Sequence, residues 1–224
     1  MESLRVHSSL RSGSPVDPGA LPPWKRAFDI VLSLAALPLL GVCALGVATV
    51  EALVAPGPLL YRQERVGRRG RRFMSYRFRT MQVAPSRGQP ARSARRPDGR
   101  FFPGGWLLRV SGLDELPQIL NVLRGEMSLV GPRPLAPREH AQLTWKQRMR
   151  CAAPPGMTGL WQVSDRAPDT LDAMLGVDLF YLEECSAGLD LDIVVRTIPA
   201  ILRRVRGAGD MRRALRKSAS AAQA

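Results

Sequence analysis

The spacing of apolar positions changes several times along the chain, and each change marks a different kind of element. From Ile30 to Val50 no charged residue occurs. Those 21 residues, IVLSLAALPLLGVCALGVATV, cover about 30 Å as a helix, the thickness of a bilayer's hydrocarbon core. The stretch is long for the apolar part of a secretory signal, and no clean small-x-small cleavage site follows it. A membrane-inserted helix is therefore expected over 24–55. After Pro56-Gly57-Pro58, a turn signal, Leu59–Tyr61 and Phe73–Phe78 read as short strands around an Arg/Gly turn at Gly67–Gly70. From Leu113 the positions Leu113, Leu116, Leu120 and Leu123 recur at helical spacing. Further amphipathic stretches run over Pro137–Met149, Asp169–Glu184 and Asp190–Val205.

Three segments lack any period. Residues 1–23 are rich in Ser, Pro and Gly and read as a flexible lead-in. Residues 82–100 read as a mobile loop, and 207–224 as a basic tail, either frayed helix or disorder. No internal repeat is present. The expectation is an α/β domain, mostly α, over 56–206 behind an N-terminal membrane helix.

Charge sharpens this picture. The net charge is +14, which points to anionic partners: phospholipid headgroups, phosphorylated substrates or nucleic acid. Aromatic residues make up only 6% of the chain and offer no obvious base-stacking platforms, so nucleic acid is not expected. The three cysteines have neither zinc nor disulfide spacing, and His7 and His140 stand alone. Lys25 and Arg26 precede the apolar helix, while Arg62, Arg65, Arg68, Arg69, Arg71 and Arg72 follow it. Both flanks are thus drawn to the cytoplasm. A helix that bends near Pro38 and returns to the same face satisfies both, and a kinked spanning helix is the alternative.

Candidate chemistry is concentrated in Gly112–Pro134, GLDELPQILNVLRGEMSLVGPRP. Ser111, three residues before Asp114, forms a capping-box pattern that would place Asp114 and Glu115 in the first turn of a helix. Acids at that position can do no more than stabilise the helix dipole. The same place also favours an ionised carboxylate and welcomes phosphate oxygens, so the pair can divide the roles of nucleophile and Mg²⁺ ligand. Gly131-Pro132-Arg133-Pro134 then presents a guanidinium from a stiff turn. That suits a phosphate, although a solvated turn arginine has the same pattern. Arg109, five residues before Asp114, can reach the same anion.

Four motifs in order, RQERVGRRG (62–70), YRFRTM (76–81), the DELPQ-to-GPRP block and PGMTGLWQVSDR (155–166), resemble the bacterial sugar transferase family. These are the small monotopic polyprenyl-phosphate phosphoglycosyl transferases. The resemblance implies a re-entrant helix in the cytoplasmic leaflet of the bacterial inner membrane, and a catalytic domain on the cytoplasmic face. It implies transfer of a sugar-1-phosphate from a UDP-sugar to undecaprenyl phosphate, with Mg²⁺ and a covalent phosphosugar–aspartate intermediate. On that resemblance Asp114 is the nucleophile and Glu115 the metal ligand or acid/base partner. Arg109, Arg133 and Arg166 fall on phosphate-binding positions, Arg77 stands where the family commonly has Lys, and Asp178 matches an acidic position. Asp165 and Ala167 replace residues that are usually Gly and Asn. The Ser-Pro pair that usually breaks the membrane helix is replaced here by Pro38 alone. Anionic membrane lipids are the expected further partners. A membrane-anchored basic binding or scaffold protein is the competing reading.

Overall fold

A computed structural model describes residues 22–54, 57–81, 101, 104–164 and 170–221. The lead-in, the 82–100 loop and Arg166 with its neighbours lie outside them.

Helix α1, Pro23–Val54, is a single helical element that passes through Pro38. Proline at its first position loses only an amide that has no partner there in any helix. Its apolar window has a mean hydropathy of 2.5, yet only 11% of it is buried in the protein. A core helix would be mostly covered, so this exposure fits a membrane-inserted helix better than a buried one. Val31, Leu34, Leu39, Val42 and Leu45 all stand exposed.

The polar residues at the two ends of α1 are the ones that meet the rest of the protein. Lys25 spends its three N–H donors on the Val130 carbonyl, 2.7 Å away, the Tyr181 hydroxyl, 3.1 Å away, and the Asp190 carboxylate. Arg26 donates to the carbonyls of Val122 and Leu123 at 2.5 and 2.7 Å. Asp29 accepts from the Ser128 hydroxyl and the Leu129 amide, both at 2.9 Å. Near the far end Val47 packs on Phe78, and Glu51 pairs with Arg79 at 3.1 Å. Both ends are therefore fastened to one domain.

Strands β1 (Leu60–Val66) and β2 (Arg72–Phe78) form an antiparallel hairpin in which Leu60 faces Phe78 and Val66 faces Arg72. The expected strands are present, and the first is longer than its apolar start suggested. The connecting turn at Gly67–Gly70 contains Arg69 at φ 56. Helix α2, Gly105–Ser111, leads into a 3-10 turn, Leu113–Gln118, and α3, Ile119–Arg124. Fully buried Asn121 binds the free edge of β2: its carbonyl oxygen accepts from the Tyr76 amide at 3.2 Å, and its amide nitrogen donates to Met74 O at 2.8 Å. That pairing lays the 3-10 turn against the hairpin.

Strands β3 (Ser128–Val130) and β4 (Gly156–Thr158) run parallel. Between them lie α4 (Pro137–Ala141), α5 (Trp145–Arg148) and a 3-10 turn, Met149–Ala152. The single helix expected over Pro137–Met149 is interrupted because Thr144 caps a new start, accepting from the Gln147 amide. Helix α6, Leu160–Val163, and α7, Leu171–Glu183, follow. The last helix, α8 (Ala187–Ala221), carries the basic tail as continuous helix. Val130, Val163, Tyr181 and Ile193 form the buried cluster that joins β3, α6, α7 and α8.

Candidate active site

The chain reverses at Gly112, held at φ 74, and Asp114 and Glu115 follow in the first turn of the Leu113–Gln118 segment. The expected capping box does not form. The Ser111 hydroxyl donates back to the Leu108 carbonyl at 3.0 Å, and Gly112 supplies the cap position instead. A six-residue 3-10 turn has too few aligned peptides to hold a carboxylate ionised.

Arg77 on β2 faces both acids. Its guanidinium lies 2.9 Å from Glu115 Oε1 but 3.8 Å from Asp114 Oδ2. Glu115 thus takes the close ion pair, and the more deeply buried Asp114 is left less compensated. Burial and the neighbouring Glu115 charge push the Asp114 carboxyl up to about 7, against the opposing pull of Arg77 and Arg109. This reverses the expectation of a helix-stabilised, fully ionised acid, because desolvation outweighs the local positive charges. Arg109, in the last turn of α2, is the second cation whose field reaches Asp114.

On the other side of the site, Arg133 projects from the Gly131–Pro134 turn and lies over the Trp161 ring, 5.3 Å from its centroid. Arg65 on β1 stands between the two groups. It donates to Pro134 O at 3.2 Å and to Gln63 Oε1 at 2.7 Å, and it feels the charges of Arg77 and Glu115 as well as Arg133 and Glu139. Burial lowers its proton affinity from the usual guanidinium range. Sequence reasoning counted Arg65 among the flanking basic residues. Its strand register gave the missed signal, since Gln63 and Arg65 lie on one face of β1.

Asp178 does not lie on the open face with the arginines. It is buried in α7 and paired with Arg150 at 2.5 Å. Burial pushes its carboxyl up to about 6, against the pull of Arg150. Arg150 was also missed, and nothing in its local sequence marks it. A cavity of about 10 Å³ behind the turn, lined by Pro132, Arg133, His140 and Arg150, is far too small for a sugar nucleotide.

A magnesium ion is commonly held by one or two carboxylates, with phosphate oxygens and water completing its shell. Asp114 and Glu115 supply that minimal set. Among the described residues no cluster of three acidic, histidine or cysteine side chains offers a fuller cage. The site therefore fits Mg²⁺ only together with a phosphorylated ligand.

The family model described as bacterial sugar transferase matches residues 21–204. The chain belongs to that family. This sugar transferase is 38% identical over 202 residues to the UDP-glucose:undecaprenyl-phosphate glucose-1-phosphate transferase of Caulobacter vibrioides, covering 87% of this chain and 75% of the relative. It is 35% identical over 205 residues to the exopolysaccharide production protein ExoY of Sinorhizobium fredii, covering 84% and 91%. To the undecaprenyl-phosphate galactose phosphotransferase of Salmonella typhimurium it is 34% identical over 194 residues, covering 80% of this chain and 40% of that protein. The resemblance read from four ordered motifs thus holds over most of the chain.

Proposed function

We propose that this sugar transferase moves a sugar-1-phosphate from a UDP-sugar to undecaprenyl phosphate, and that Asp114 carries the sugar-phosphate between them. An Asp114 oxygen attacks the phosphorus that bears the sugar, and the bond to UMP breaks as UMP leaves with the electron pair. An oxygen of undecaprenyl phosphate then attacks the same phosphorus and releases the Asp114 carboxylate. The product is an undecaprenyl diphosphosugar, a membrane starting unit for exopolysaccharide, capsule, O-antigen or another glycan.

The observation that carries this reading is the ion-paired Arg77–Glu115 beside a buried, poorly compensated Asp114. Phosphoryl transfer asks chiefly for positioning and charge neutralisation. Arg77 and Arg109 would meet the charge near the attacking oxygen, and Arg133 would meet the donor diphosphate. Glu115, freed from Arg77 as phosphate enters, would hold Mg²⁺, which supplies further neutralisation at the diphosphate. The activities for which two relatives are named, on UDP-glucose and undecaprenyl phosphate, support both substrates.

The lipid acceptor sits in a bilayer, and α1 keeps the domain beside it. We place the domain on the cytoplasmic face of the bacterial inner membrane, with both ends of α1 on that side. The basic hairpin would add about 1 kcal/mol per arginine near anionic headgroups. The test is UMP release by purified protein in detergent with UDP-sugars, Mg²⁺ and undecaprenyl phosphate. Wild type is expected to release UMP and to trap a phosphosugar adduct on the peptide containing Asp114, and Asp114→Asn is expected to do neither. A basic scaffold would release no UMP at all.

A further inference from the structure

Pro132 and Pro134 have no amide hydrogen, so Arg133 provides the sole main-chain donor between Gly131 and Leu135. Its carbonyl accepts from Arg150 Nη2 at 2.5 Å, and the same nitrogen lies 2.5 Å from Asp178 Oδ2. Both charged side chains are almost completely buried, with 3% and 2% of their side-chain surface exposed. The flanking carbonyls are taken as well: Pro132 O by the Gly156 amide at 2.8 Å, and Pro134 O by Arg65.

Burying an ion pair brings little net stability by itself, because desolvation offsets the attraction. The pair is therefore better explained by what it holds. Assuming the sugar-phosphate transfer described above, we propose that Arg150 and Asp178 are positioning residues that hold the Arg133 main chain: Asp178 fixes Arg150, and Arg150 donates to the Arg133 carbonyl. They thereby aim its Trp161-stacked guanidinium at the donor diphosphate. Asp178 then acts through Arg133 and makes no contact with substrate.

A double-substitution cycle tests this with wild type, Arg133→Ala, Asp178→Asn and the combination. UMP release gives kcat/KM, and thermal melts in the same detergent follow the fold. Asp178→Asn alone is expected to lower kcat/KM by about 10- to 100-fold, the usual range for a supporting partner. In the Arg133→Ala background it is expected to cost less than about 2-fold, because the aimed side chain is already gone. Equal losses in both backgrounds overturn the proposal, since Asp178 then contacts substrate or supports the fold independently of Arg133. A lone buried Arg150 charge can itself prevent folding, so Arg150→Met combined with Asp178→Leu serves as the second arm. That protein is expected to melt near wild type and lose activity to the extent of Asp178→Asn; full activity overturns the proposal. Wild type that releases no UMP overturns the transfer reading itself and this inference with it, whereas additivity in an active wild type overturns this inference alone.

Discussion

Asp114 and Glu115 are adjacent in sequence and sit in different surroundings. Glu115 is partly exposed and holds Arg77 closely, whereas Asp114 is buried 3.8 Å from the same guanidinium. Its carboxyl stands near 7, well above the ordinary value of 3.8. Because the folded value is raised, the fold carries no penalty below about pH 4, a growing one between about 4 and 7, and the full penalty above. At about 1.4 kcal/mol per unit, that penalty amounts to a few kcal/mol. Asp114→Asn, in chelator so that no metal intervenes, is therefore expected to melt several degrees above wild type near about pH 8. The two proteins are expected to coincide near about pH 4. Equal melting at both values would mean that Asp114 is solvated and not poised by burial.

Short elements hold this site, so close backbone contact matters more here than long helices do. In the β3–β4 pair an added Cβ on Gly156 would lie 2.2 Å from the Gly131 nitrogen and 2.3 Å from Thr158 O. Neither is a flexible side-chain end, so the strands must separate. Gly156→Ala is expected to cost more than about 3 kcal/mol and to displace the arginine turn that begins at Gly131. Gly112, just before the acids, presents the opposite case. It sits at φ 74 with open space around it, so Gly112→Ala is expected to cost only about 1–2 kcal/mol, from backbone strain alone. Thermal melts of the two variants check the order, and a Gly112→Ala protein less stable than Gly156→Ala would contradict it.

At the scale of the molecule, α1 is both a membrane element and a strut. Lys25 and Asp29 join its start to β3 and α8, and Glu51 joins its end to Arg79 after β2. If both ends stay fastened to that domain in the bilayer, residue 23 lies on the domain's side, however sharply the helix turns at Pro38. Single cysteines at Ser14 and Ser93, in a protein lacking Cys43, Cys151 and Cys185, are expected to stay protected from an impermeant thiol reagent in intact cells. Labelling of Ser14 alone would show that the helix spans, and that its polar ends do not share one domain in the membrane.

The uncharged stretch Ile30–Val50, the strand signals around Gly67–Gly70 and the acid pair before GPRP were legible in the sequence, because periodicity and turn chemistry are local properties. Motif order was enough to identify the family. Local pattern was silent on which polar groups end up in low dielectric. Lys25 read as a flanking charge, yet it is a buried tertiary link to Val130, Tyr181 and Asp190. Asp178 matched only an acidic position in the motif order, and the fold buries it against Arg150. Asp114 read as an ionised helix-start acid, and burial moved its proton affinity the other way. Charge type and spacing are written in the chain. The free energy of a charge depends on the solvent excluded around it and on partners tens of residues away, and only the tertiary structure decides those.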